Sequence, residues 1–268
     1  MNMIFKIAKT ELQTLFYSPV AWLILIVFTF QASILFTGTF GMSVRSQALE
    51  YEVGNLTLFT FGGDYGLFTH IQQYLYLYIP LLTMGLMSRE LSSGSIKLLY
   101  SSPVTNKEIV LGKYFAMLVY GLVLIGILAI YVLYSACTIK AFDFTVALSG
   151  LLGLYLLICA YASIGLFMSS LTSYQVVSAM GTLAILAALS LVRGMWQDIE
   201  FVRDITYWLS INGRADEFVN GLICSEDILY FLIVIALFLT LTILRLQVIR
   251  QKTSWTIAWG RYIGVFLI

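Results

Sequence analysis

The chain has 268 residues, of which 60% are hydrophobic and 11% charged, with a formal net charge of +1. A soluble domain carries about 25% charged residues, so there are too few charges here to wet a globular surface. About 20 apolar residues cross the hydrocarbon once, and this length therefore reads as one helical bundle in a bilayer.

Residues 3–17 come first. Ile4, Ile7, Ala8, Leu12, Leu15 and Phe16 recur at helical spacing, with Lys6, Lys9, Thr10, Gln13 and Thr14 mostly on the other side. This pattern predicts an amphipathic helix lying in the interface. Ser18-Pro19 breaks it and turns the chain into the membrane. The alternative is a simple charged leader. A cleaved signal is disfavoured, because the apolar stretch that follows is longer than a signal core and further spans come after it.

Charged residues are absent between Glu11 and Arg45, Asp64 and Arg89, Lys113 and Lys140, Asp143 and Arg193, and Asp227 and Arg245. The polar turn Ser169-Ser170-Leu171-Thr172-Ser173-Tyr174-Gln175 divides the fourth interval. Spans are predicted near 19–41, 69–88, 113–137, 147–169, 175–194 and 228–247. Lipid demands that each segment satisfy its own backbone, so these are helices. The expected fold is an all-α membrane protein, a six-helix transmembrane domain over 1–252 with a short tail at 253–268.

With the N-terminus inside, 10 Lys and Arg fall on inner segments and 5 on outer ones, while 3 of the 14 acids are inside. That places both termini in the cytoplasm. No acid or base lies well inside any predicted span, which argues against ion-coupled transport. Gly112-Lys113 is followed by Tyr114 and lacks the upstream glycine of a phosphate loop. Cys137, Cys159 and Cys224 have no metal spacing and read as small packing residues, and His70 reads as interfacial. No cofactor or metal is expected in this chain, and nucleic acid is not an expected partner.

Within the second span, Tyr74 and Tyr78 share a helical face with Gln73 beside it, and Gln31 is the one amide of the first. These four are candidates for lining a path for an amphipathic or lipid-like cargo, against an aromatic belt as the plainer reading. Ser178 and Thr182 are small enough to allow close approach at a seam between two copies.

The loop from Arg89 to Lys113 is the richest segment. Thr105 and Glu108 form a capping-box pattern that starts the third span's helix. Ser102-Pro103 ends what precedes it, and a short helix with Ile96, Leu98 and Leu99 is expected between Ser92 and Tyr100. A partly apolar helix facing the cytoplasm invites a partner protein; a plain connector is the alternative.

Past the fifth span, residues 195–227 are acidic. Trp196, Ile199, Val202, Ile205 and Leu209 fall near helical spacing, as in an amphipathic helix on the outer leaflet. Ser225-Glu226-Asp227 suits the start of the last span. The tail, with Trp255, Trp259, Arg261 and Tyr262, is too short to cross. It lies in the interface, continues beyond this sequence, or is completed by a partner.

The order Glu90, Gly94, Leu98-Leu99, Ser102-Pro103-Val104, Ile109 and Gly112-Lys113 resembles the signature loop of type-2 ABC exporter permeases. Tyr17-Ser18-Pro19 is similar to that family's start, as is Asn212 through Phe218, Gly221 and Asp227 to its last-span entry. The nearest likeness is to the gliding-motility subgroup. The resemblance implies two paired permeases, identical or sister chains, each docked on a separate cytoplasmic ATPase that binds ATP and Mg. It implies that the loop is the coupling helix, with Glu90, Gly94, Lys97, Leu98, Leu99 and Pro103 at the ATPase contact. It implies transport by an exporter of the inner membrane. A membrane part of an ATPase-driven assembly that moves no solute is the second reading, and a lipid-modifying enzyme the third.

Overall fold

The computed structural model describes residues 3–48, 55–101, 103–139, 142–191 and 210–251. Residues 195–209 of the expected outer-leaflet segment 195–227, and the tail at 253–268, lie outside them. Among the described residues there are eleven helices and no strand. They are α1 (Met3–Tyr17), α2 (Pro19–Ala48), α3 (Leu56–Phe61), α4 (Leu67–Thr83), α5 (Ser88–Ser93), α6 (Ile96–Ser101), α7 (Asn106–Thr138), α8 (Phe144–Leu171), α9 (Gln175–Leu191), α10 (Ile211–Val219) and α11 (Ser225–Gln251).

Four helices, α2, α7, α8 and α11, are long and apolar enough to cross a membrane. Helices α4 and α9 have 17 described residues each. At about 1.5 Å per residue these are at the short limit of a hydrocarbon crossing. For α4 the cause lies at its end. Met84 to Met87 leave the helix as a turn, and the chain restarts as α5 at Ser88. Ser169 at the far end of α8 secures this break: its hydroxyl accepts the N–H groups of Met87 and Ser88, both at 3.0 Å, and donates to the Met84 carbonyl at 2.9 Å.

Helix α8 is the centre. Within its most apolar stretch 67% of residues are buried, against 28% for α11. The residues on its outward-facing neighbours explain the contrast. Trp22, Leu23, Ile26, Phe30 and Ile34 of α2 and Leu229, Leu232 and Ile233 of α11 are all exposed. So large an apolar exterior is stable only where lipid is the solvent. Apolar burial no longer holds the helices together there, and close approach and polar links take over. A Cβ on Gly153 would stand 2.3 Å from Phe218 Cβ, so the bare backbone of α8 is what seats α10. Tyr120 donates to the Ala21 carbonyl at 2.8 Å, and Ser33 and Tyr131 share a 2.7 Å bond, joining α7 to α2.

The hydrophobic seam of α2 repeats every three to four residues through Ala21, Ile24, Phe28, Ala32 and Phe36. The helix runs on past the predicted end of the first span to Ala48. Bilayer thickness limits a span, but nothing in the sequence stops the helix at that boundary.

Candidate functional site

Helix α1 carries its apolar stripe as expected, with one exception in kind: Glu11 lies on that stripe beside Leu15, and both are buried. The carboxylate has partners on two other elements. Arg89 Nη2 meets Glu11 Oε1 at 3.0 Å, and Lys113 Nζ meets Glu11 Oε2 at 2.9 Å. The same Lys113 Nζ reaches Glu90 Oε1 at 2.7 Å. Two acids and two bases thus tie α1, α5 and α7 into one clasp. Lys113 is 1% exposed, so the ammonium has almost no water and depends on both carboxylates.

Gly112 explains how α1 gets so close. A Cβ there would meet Ile7 Cγ2 at 2.7 Å and the Ile4 carbonyl at 3.1 Å. Gly112-Lys113 therefore works as a pair, the glycine admitting α1 and the lysine holding it. A small crevice of about 60 Å3 opens beside the clasp, lined by Glu11, Thr14, Ser18, Arg89 and Gln175.

From the clasp the loop projects outward. Gly94 ends α5 in the left-handed region at φ 71°, where other residues are strained. It redirects the chain into α6, whose Ile96 is buried and whose Lys97 is exposed. Leu98 is 74% exposed. Leu99 lies on α6, and its side chain is outside the described residues. Pro103 is exposed and Val104 buried. Thr105 and Glu108 make the full capping box: Thr105 N donates to Glu108 Oε2 at 2.9 Å, and Glu108 N donates back to Thr105 Oγ1 at 3.3 Å. Arg250, on the last turn of α11, donates to the Val104 carbonyl at 3.2 Å and to Asn106 Oδ1 at 3.3 Å. The end of α11 and the start of α7 are therefore at the same end of the bundle as α1.

The loop residues split into two groups. Lys97, Leu98 and Pro103 face outward. Glu90, expected at the ATPase contact, turns inward to Lys113. Lys113 is a buried member of the clasp. The signal for Glu11 was present in the sequence, as a lone acid on an apolar helical stripe.

The four path candidates also separate. Tyr78 donates to Gln31, joining α4 to α2, and the Tyr78 ring stands edge-on to Phe28 at 5.9 Å. Gln73 and Tyr74 are exposed and join neither. The buried amide is the neighbouring Gln72, which donates to the Asn212 carbonyl at 3.0 Å and to Asp216 Oδ1 at 2.8 Å. Asn212 in turn accepts from Tyr161 at 2.6 Å and donates to Ser190 at 3.1 Å. Thus α4, α8 and α9 are joined through α10. Ser178 and Thr182 are fully buried within the chain, not at a seam between copies. The exposed face of α9 carries Val176, Val177 and Met180 instead.

The family model described as "ABC-2 family transporter protein" matches residues 5–249. No curated protein matches the chain.

Proposed function

The chain belongs to the ABC-2 family of transporter membrane proteins, and from that premise we propose that it is the permease subunit of an ATP-driven exporter. In this reading α2, α4, α7, α8, α9 and α11 are the six crossings, and α1 lies in the interface. Both termini face the cytoplasm of a cell whose inner membrane holds the protein. The excess of Lys and Arg on those segments supports the orientation, and so does the contact of Arg250 with the start of α7. A separate ATPase binds ATP and Mg, and a second permease, identical or a sister chain, completes the path.

One observation carries the coupling assignment. The α5–α6 loop exposes Leu98 while its root is gripped by the clasp at Glu90 and Lys113. An exposed leucine on a short helix suits the cleft of another protein, where a buried apolar anchor supplies most of the binding. Force applied at α6 passes through α5 into α1 and α7 together, because Lys113 of α7 pairs with both Glu90 and Glu11, and Arg89 of α5 pairs with Glu11 as well. Lys97 and Pro103 flank the anchor, and Gly94 sets its direction.

The test is the double substitution Leu98→Glu and Leu99→Glu. The variant is expected to insert normally, and a tagged copy is expected to lose the Walker-motif ATPase that copurifies with the native chain. If the variant retains that ATPase and transports at the native rate, the coupling assignment is wrong. Reconstitution with the ATPase and ATP then asks whether a solute moves; hydrolysis coupled to no solute would favour the force-transmitting reading.

A further inference from the structure

At the opposite end of the bundle from the clasp, α10 turns into α11. Gly221, at φ 91°, makes the turn tight, and it brings the last turn of α10 against the first of α11. Glu217, Cys224 and Asp227 meet there. Their carboxylate oxygens and thiol sulfur all lie within 4.8 Å of one another. Asp227 is fully buried. Its Oδ1 takes a 2.6 Å bond from Arg214, whose guanidinium also lies 5.6 Å from the centre of the Tyr230 ring. Its Oδ2 is buried as well and receives no hydrogen bond.

A buried acceptor left without a donor costs about 1–3 kcal/mol. The groups clustered with this carboxylate within 4.8 Å are a second carboxylate and a thiol, which add further acceptors beside it. A cation seated among the three groups answers the orphaned oxygen and the crowding at once.

We propose that Glu217, Cys224 and Asp227 bind one divalent cation of the zinc type, which fastens α10 to α11. The donor set decides the class. A thiolate disfavours magnesium and calcium, and one sulfur with two carboxylate oxygens suits zinc. Zinc bonds of about 2.3 Å to sulfur and 2.0–2.2 Å to oxygen require the donors to draw closer together. Rotation of Glu217 and of Cys224, which is exposed, provides this. The exposed thiol is also the way in. On binding, the Cys224 S–H proton leaves to solvent and the sulfur takes the metal in its place. Water fills the fourth position.

The test uses the full chain, purified in detergent, stripped of metal and titrated with Co2+. A thiolate-to-cobalt charge-transfer band is expected, saturating at one equivalent and abolished by Zn2+. Cys224→Ser should remove the band and Cys137→Ser should keep it. Glu217→Gln should weaken binding by more than the roughly 10- to 100-fold that loss of an outer-sphere partner causes. Zn2+ should also raise the thermal midpoint of the native chain and not that of Cys224→Ser. No band in the native chain, or a band unchanged in Cys224→Ser, overturns the site and leaves a proton shared between two carboxyls as the explanation.

Discussion

Near the Ser169 end of α8 the contacts around Lys113 are between full charges, supplied by three elements. Towards the other end the contacts are mostly amides and hydroxyls, linking Gln72, Tyr161, Ser190 and α10. The two designs respond differently to displacement. An ionic clasp attracts over distance and is edged by the partly exposed Arg89, so it can open by a small amount and close again. An amide network works only at hydrogen-bond length and direction. The first suits a joint that receives force, and the second a fixed frame.

Substitutions sharpen that contrast, beginning with the clasp. Lys113→Met leaves Glu11 and Glu90 without their shared buried cation. It is expected to cost about 3–5 kcal/mol, read as a lowered thermal midpoint in nanodiscs. Adding Glu11→Gln should recover part of the loss. An unchanged midpoint in the single variant would mean that the clasp does not form.

In the frame, Gly153→Leu drives a side chain into Phe218. Overpacking of this kind costs about 1–3 kcal/mol, and protease protection of the α10 region should fall with it. Protection equal to the native chain's would show that α10 is not seated on α8 there.

Tyr161→Phe takes one hydroxyl from the amide network. Interhelical bonds in membranes average about 0.6 kcal/mol, so the expected loss is small, and transport should survive it. A loss of transport with stability intact would reverse the comparison, placing the working joint in the frame.

Leu98→Glu is the smallest in stability, within about 0.5 kcal/mol, because the side chain touches little. Its effect should appear only as ATP hydrolysis that no longer drives transport.

What the sequence made legible follows from range. Local signals were readable: the end of α1 at Tyr17, the Thr105–Glu108 capping box, and the apolar runs of the long helices. The loop's single expected helix is two, because Gly94 adopts a left-handed turn that composition alone does not reveal. Contacts distant in sequence left no such trace. Nothing near Met87 announces that Ser169 ends α4 early, and nothing near Gln72 distinguishes it from Gln73. The inward turn of Glu90 left no local sign, because its partner is 23 positions away at Lys113. The small residues of α9 were read as a meeting place for another copy. In fact their buried side faces α4 and α8, which periodicity cannot tell from a second molecule.

The notch at Gly112 has a consequence for motion. Ile7 sits where a side chain would otherwise stand, so α1 has no freedom to slide along α7 without first climbing out. The amphipathic helix is thus keyed to α7 like a pawl in a ratchet tooth. A spin label at Lys6, on the exposed side of that helix, would register the tilt of a helix buried behind it.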